Sequence, residues 1–171
     1  MNSSLHSLLA IIVSAVALTI PTDAVAQTGE KSLGVRTGYN TRNESAVGGI
    51  VFQYRFCEHF RLAPEIDYIF RHAGTDAFSF NGNAHFPFAI SRGLNIYPFT
   101  GLNYTSWNTT SSTYSDDIDD VSTRSGKFGL NIGGGLEYYA TTTLKVSLEG
   151  KFCWVNKYDT GTFTIGISYL F

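Results

Sequence analysis

The sequence predicts an all-β chain folded as an eight-stranded antiparallel up-and-down transmembrane β-barrel, and three observations predict it. From Lys31 onward, apolar and polar residues alternate with a period of two through eight successive segments, as strands with one wet and one apolar face do. Aromatic residues make up 15% of the chain, charged residues only 15%, and there are 17 glycines. Mean hydropathy nevertheless stays near zero, because alternation disperses the apolar residues. Past Ala26 no apolar run is long enough to cross a bilayer as a helix. Apolar faces turned to lipid must then belong to strands, and the sheet must close on itself because lipid satisfies no free backbone edge.

The segments follow a targeting sequence. Leu8 to Ile20 is almost purely apolar, Pro21 interrupts it, and Ala24-Val25-Ala26 is an A-x-A cleavage site, so residues 1–26 read as a cleavable signal peptide and 27–171 as the barrel domain. Met1 to Ser7 lacks Lys and Arg, a departure from the usual pattern. The apolar run is shorter than the ~20 residues a retained membrane anchor needs.

In the first segment, Lys31 to Thr41, Leu33, Val35, Thr37 and Tyr39 oppose Gly34, Arg36, Gly38 and Asn40. The second, Val47 to Cys57, sets Ile50, Phe52, Tyr54 and Phe56 against Gly49, Val51, Gln53 and Arg55, and Glu58-His59 turns the chain. The third, Phe60 to Phe70, sets Leu62, Pro64, Ile66, Tyr68 and Phe70 against Arg61, Ala63, Glu65, Asp67 and Arg71. Pro64 has no N–H for the ladder, which predicts a bulge or local gap there. The fourth, Phe78 to Ile90, places Ser79, Asn81, Asn83 and His85 on the polar face.

The fifth segment, Leu94 to Ser106, has two possible registers, because Tyr97 and Phe99 compete with Leu94, Ile96, Leu102 and Tyr104 for the apolar face. The second set is expected outside, with a bulge near Pro98. Trp107 to Ser125 is polar and reads as a loop; its Asp116, Asp117, Asp119 and Asp120 form a possible cation-binding cluster. The sixth segment, Gly126 to Tyr139, and the seventh, Leu144 to Val155, alternate cleanly about a turn at Thr141 to Thr143. The last, Thr164 to Phe171, continues the alternation of Phe163, Ile165, Ile167, Tyr169 and Phe171 to the final residue, broken only by Leu170. It must pair with the first segment to remove the sheet's edges.

The polar face is then the barrel interior, and any chemistry must be there. It carries Arg36, Arg55, Arg61, Arg71, Lys127, Lys145 and Lys151 against Glu65, Asp67, Glu137 and Glu149, with His85 among them. Buried charges must be paired, so these residues are expected to form a lumen charge network. Antiparallel pairing about the 140–143 turn sets Glu137 beside Lys145, and pairing about Glu58 sets Gln53 near Glu65. Arg55 has room to reach across towards Gly129, Gly133 and Gly135. No catalytic residue, metal or cofactor is assigned. His85 has Glu65 or Asp67 nearby, but Ser79, on the same face, is six positions or ~20 Å away. Cys57 and Cys153 lie at different heights, separated axially by roughly 20 Å, and are expected as free thiols. A net charge of -2 offers no footprint for nucleic acid.

Thr164, Gly166, Tyr169 and the terminal Phe171 resemble the carboxy-terminal signal of bacterial outer-membrane β-barrels. Tyr97-Pro98-Phe99-Thr100-Gly101-Leu102-Asn103-Tyr104-Thr105 is similar to the P-Y-x-G-x-G-x-x-Y strand of porin-like β-barrel domain proteins, with Pro and Tyr inverted. Phe128 to Tyr139, with Gly133-Gly134-Gly135, is similar to their G-x-G-x-E-Y strand. The mature chain as a whole resembles the small outer-membrane barrels of the OmpA, OmpX and OmpW type. No OmpA-type peptidoglycan-binding domain is expected.

That resemblance implies a monomer in the bacterial outer membrane, in contact with outer-membrane lipid and lipopolysaccharide, whose last strand is read by the barrel-assembly machinery. The expected role is structural or surface-interacting, with a largely plugged polar lumen. A narrow porin-like channel for small solutes and an outer-membrane lipid-modifying enzyme are the alternatives.

Overall fold

The computed structural model describes residues 28–111, 121–155 and 159–171. Both the signal segment 1–26 and the Asp116 to Asp120 cluster lie outside the described residues. The strands are β1 (Lys31–Asn40), β2 (Ser45–Cys57), β3 (Phe60–His72), β4 (Thr75–His85), β5 (Phe88–Ser91), β6 (Leu94–Ser111), β7 (Val121–Tyr139), β8 (Leu144–Trp154) and β9 (Thr160–Leu170). Every pairing is antiparallel, and β4 and β5 are two lengths of one stave, since both pair with β6. Phe86 and Pro87 separate them, and the Phe86 N–H is satisfied by the Pro98 carbonyl at 2.9 Å. Eight staves result.

The sheet runs β4-β3-β2-β1-β9-β8-β7-β6, and the β4–β6 pairing closes it. The seam expected between the first and last segments forms over Ser32↔Leu170 to Asn40↔Thr162, bringing Gly34 opposite Ser168 and Arg36 opposite Gly166. The barrel is inside-out relative to a globular core: Leu33, Ile50, Phe80, Phe128 and Ile165 face outward, while Arg, Glu and Asn side chains are buried within. Tyr39, Phe70, Phe78, Tyr104, Trp154 and Phe171 are all on the outer face, where interfacial girdles require them.

Three expectations change. Trp107 to Ser125 is not all loop: β6 and β7 continue as a paired ribbon from Ser106↔Gly126 to Ser111↔Val121. Its Thr residues favour strands, but apart from the inward Trp107 and Val121 at its end the ribbon is polar and the alternation vanishes. Second, β3 and β4 extend until only Ala73 and Gly74 remain between them. Their φ values of 49° and 80° match the two positive-φ positions of a tight hairpin turn. Ala73 is strained there, so Ala73→Asn is expected to raise stability by roughly 0.5–1 kcal/mol in urea titrations of the barrel in lipid vesicles.

Third, no bulge forms at Pro98, since β6 and β7 keep one register from Leu94↔Tyr138 through Ser111↔Val121. Leu94, Ile96, Leu102 and Tyr104 do lie on the outward side, and Tyr97 and Phe99 turn inward without any irregularity. Glu65 is directly opposite Val51, which leaves Gln53 as its diagonal neighbour on the same face, and Gln53 accepts from Ser32 Oγ at 3.2 Å. The gap expected at Pro64 is present: the β2–β3 ladder has no partners between Val51↔Glu65 and Tyr54↔Leu62. Both cysteines are free, Cys57 exposed and Cys153 buried.

Candidate functional site: the charged lumen

Two ion clusters cross the interior at different heights. The first is built on Arg36 of β1, whose ladder neighbours are Gly49 on β2 and Gly166 on β9. Small residues on both sides leave the guanidinium free to reach into the lumen. Its Nε donates to Asp67 Oδ1 at 2.8 Å, Nη1 to Glu149 Oε2 at 3.2 Å, and Nη2 to Glu65 Oε2 and Asp67 Oδ2. Lys151 Nζ donates to Glu65 at 3.0 Å and Asp67 at 3.4 Å. Three staves, β1, β3 and β8, are thereby tied through the middle.

The second cluster, nearer the end where the chain turns at Glu58, Arg92 and Thr141, is centred on Glu137 of β7. Arg61 Nη1 donates to its Oε2, Asn95 Nδ2 to its Oε1 at 3.0 Å, and Lys145 Nζ lies 3.8 Å away. Arg55 reaches across from β2, with Nη2 3.1 Å from Tyr139 Oη and 3.6 Å from Glu137 Oε1, and not into the space at Gly129, Gly133 and Gly135, which Val155, Phe99 and Tyr97 take. Glu30 closes the cluster by accepting from Tyr139 Oη at 3.1 Å and Lys145 Nζ at 3.3 Å. The side chain of Glu137 is 0% exposed and that of Arg61 1%, so neither charge is hydrated. Their stability depends on pairing.

An aromatic layer separates the clusters. His85 stacks on Tyr97 with centroids 5.0 Å apart and contacts Phe99 at 4.9 Å. Arg61 covers the Tyr97 ring at 4.6 Å, and Tyr97 Oη donates to Glu149 Oε1 at 2.7 Å. Tyr97 is opposite Gly135 and Phe99 opposite Gly133 on β7. A Cβ at either glycine would collide with the facing ring. Gly135→Leu is therefore expected to cost about 1–3 kcal/mol by overpacking, and Tyr97→Ala in the same chain to recover part of it, read from urea midpoints.

Towards the other end the lumen becomes neutral. Asn81, Asn103, Asn131, Ser79 and Thr105 form a hydrogen-bonded column, joined to the first cluster where Asn81 Nδ2 donates to Asp67 at 3.0 Å. Above it Val47, Ile69, Ala77 and Trp107 make an apolar cluster. A cavity of about 20 Å³ between them, lined by Asp67, Asn103, Trp107 and Lys151 among others, has space for about one water.

Of the charged residues expected inside, Arg36, Arg55, Arg61, Glu65, Asp67, His85, Glu137, Lys145, Glu149 and Lys151 are brought together there. Arg71 is not. The register of β3 against β4 shifts between Ile69 and His72, and the Arg71 side chain, 56% exposed, pairs with Asp76 at the rim at 2.8 Å. Lys127 is half-buried opposite Thr105, above the two clusters. Sequence reasoning missed Glu30, Tyr97, Phe99 and Tyr139. The inward Gly133-x-Gly135 pair was a usable signal for the two β6 aromatics, because bare backbone on one strand leaves a slot that a large neighbour fills. No Ser, Thr or Cys among the described residues hydrogen-bonds to His85, whose ring meets Arg61, Tyr97 and Phe99.

Residues 10–171 match the outer membrane protein beta-barrel domain. Among solved structures, the chain is similar to the N-terminal β-barrel domain of Pseudomonas aeruginosa OprF, with a TM-score of 0.68 and 19% identity over 84% of this chain and 98% of that one. Neisserial surface protein A aligns with a TM-score of 0.68 and 13% identity, over 84% and 98% of the two chains. The attachment invasion locus protein Ail of Yersinia pestis aligns with a TM-score of 0.61 and 16% identity, over 85% and 100%. A search of curated proteins gives no match.

Proposed function

Because this chain belongs to the outer membrane protein beta-barrel domain family, we propose that it serves the bacterial outer membrane as a closed barrel, acting through its fold and its outward loops and passing no solute. The single observation that supports this reading is the pair of cross-barrel ion clusters. Arg36, bonded to β3 and β8, and Arg61, bonded to β7, span an interior that an eight-stave barrel leaves only wide enough for side chains. Proteoliposomes carrying the purified protein should swell no faster in small sugars or amino acids than empty vesicles. Swelling that depends on solute size would favour the narrow-channel alternative.

The remaining parts of the proposal follow from the family and the sequence. Residues 1–26 are removed on export, the Glu58, Arg92 and Thr141 turns face the periplasm, and the ribbon of β6 and β7 projects outside. Lipid and lipopolysaccharide surround a monomer. Thr164, Gly166, Tyr169 and Phe171 present the strand that the assembly machinery reads, with Phe163, Ile165, Ile167, Tyr169 and Phe171 exposed on its outer face. Deleting Phe171 should reduce heat-modifiable barrel in outer-membrane fractions several-fold while leaving the interior network intact in protein refolded in vitro.

A surface role is favoured over catalysis by the surroundings of His85, where Arg61, two rings and the Glu65 and Glu149 carboxylates are buried and no Ser, Thr or Cys of the described residues is hydrogen-bonded to the ring. The Yersinia relative carries attachment in its name and has been crystallised with the heparin analogue sucrose octasulfate. The surface of this chain that would carry such a role is the β6–β7 ribbon.

A further inference from the structure

Three buried side chains converge between the two ion clusters. One oxygen each of Glu65 and Glu149 and one ring nitrogen of His85 lie within 4.8 Å of one another. The three residues are 2%, 5% and 0% exposed. Glu65 Oε1 and His85 Nε2 have no hydrogen-bond partner among the described residues. Two carboxylates and an imidazole are the composition of a divalent metal site, so a metal is the first occupant to weigh.

Arg61 speaks against it. It approaches His85 Nδ1 with Nε at 3.3 Å and Nη2 at 3.2 Å. A guanidinium only donates, so Nδ1 must offer its lone pair, and the proton of the neutral ring sits on Nε2. The ring nitrogen without a protein partner, Nε2, is thus a donor, with no lone pair for a metal. Three atoms within 4.8 Å of one another share a point no more than about 2.8 Å from each, which the hydrogen bonds of one small molecule can span.

An occupant that serves the two unpartnered atoms accepts a hydrogen bond from Nε2–H and donates one to Glu65 Oε1, with Glu149 as a neighbouring acceptor. Ammonium and metal cations cannot accept, and a carboxylate or phosphate would meet two like charges. Water has this pattern and is small enough for the site. We propose that Glu65, His85 and Glu149 form a built site for one internal water, and that through it His85 is a positioning residue that couples Arg61 to Glu65, beside the separate link that Tyr97 makes between Arg61 and Glu149. On one side His85 holds Arg61, which is bonded to Glu137; on the other, the water holds Glu65 and Glu149, which are bonded to Arg36. Arg61 has no acceptor, so the chain of bonds carries no proton through the barrel. The site goes beyond the closed-lumen reading and does not depend on it.

Nitrogen-15 NMR of histidine-labelled whole protein in lipid nanodiscs tests this. His85 should be neutral with its proton on Nε2, show a cross-peak from that proton to a water resonance, and stay unchanged on adding excess Zn²⁺. Glu65→Gln should move the Nε2–H resonance, and a double-mutant cycle of Arg61→Lys with Glu65→Gln should show coupling that His85→Phe abolishes. A proton on Nδ1, absence of the water cross-peak, a Zn²⁺-induced shift of His85, or coupling that persists in His85→Phe would each overturn the proposal.

Discussion

Glu137→Ala is expected to lower the stability of the folded barrel by about 3–5 kcal/mol, the range for breaking a buried ion pair from one side. Glu137 is the carboxylate that Arg61, Lys145 and Arg55 all face, and its side chain is fully buried. Removing it leaves Arg61 beside Lys145 with only Glu30 for compensation, at 3.3 Å from Lys145. The Asn95 amide and the Arg61 guanidinium each lose an acceptor as well. Glu137→Gln should fall between the variant and wild type, because it keeps an acceptor but not the charge. Arg55→Ala should cost less than Glu137→Ala: Arg55 is 3.6 Å from Glu137 and shares its bonds with Tyr139 and the Glu58 carbonyl. Urea titration in vesicles followed by tryptophan fluorescence reads these differences, with Trp107 inside the barrel and Trp154 outside it.

Arg36→Ala is the second large effect, again about 3–5 kcal/mol and with the opposite charge left behind. Glu65, Asp67 and Glu149 would then face Lys151 alone, and Lys151 reaches only the first two. Desolvated carboxylates without a counter-charge draw water, so the variant barrel should conduct ions that the proposed closed lumen of the wild type would exclude. Arg36→Lys should recover little of the loss. One ammonium cannot reproduce the guanidinium's simultaneous contacts with three carboxylates on two staves.

The staves and their faces were legible because period-two alternation is enforced wherever lipid is on one side and a polar lumen on the other. Leu62, Ile66 and Tyr68 against Arg61, Glu65 and Asp67 left no choice of face. Legibility failed where that constraint lapses. The outer pairs of the β6–β7 ribbon, from Thr109↔Thr123 to Ser111↔Val121, carry no alternation that would require an apolar face. Arg71 sits past a register shift, and one displaced residue sends a side chain to the other side. Tyr97 and Phe99 were ambiguous because an aromatic filling a glycine slot inside looks the same in sequence as one facing lipid.

The membership of the charge network was readable from the inward face, but its pairing was only partly so. Glu137 with Lys145 is local, across one turn, and could be foreseen. Arg36 with Glu149, 113 positions apart, is set by closure of the sheet and not by any ladder the sequence displays. Glu30 was overlooked because it precedes β1 and carries no alternation signal.

Single-channel recording in planar bilayers tests the central claim most directly. Wild-type protein, confirmed as folded by its heat-modifiable mobility, should insert without producing conductance steps, while Arg36→Ala inserted under the same conditions should conduct. Reproducible steps of uniform size from the wild type would contradict the closed lumen.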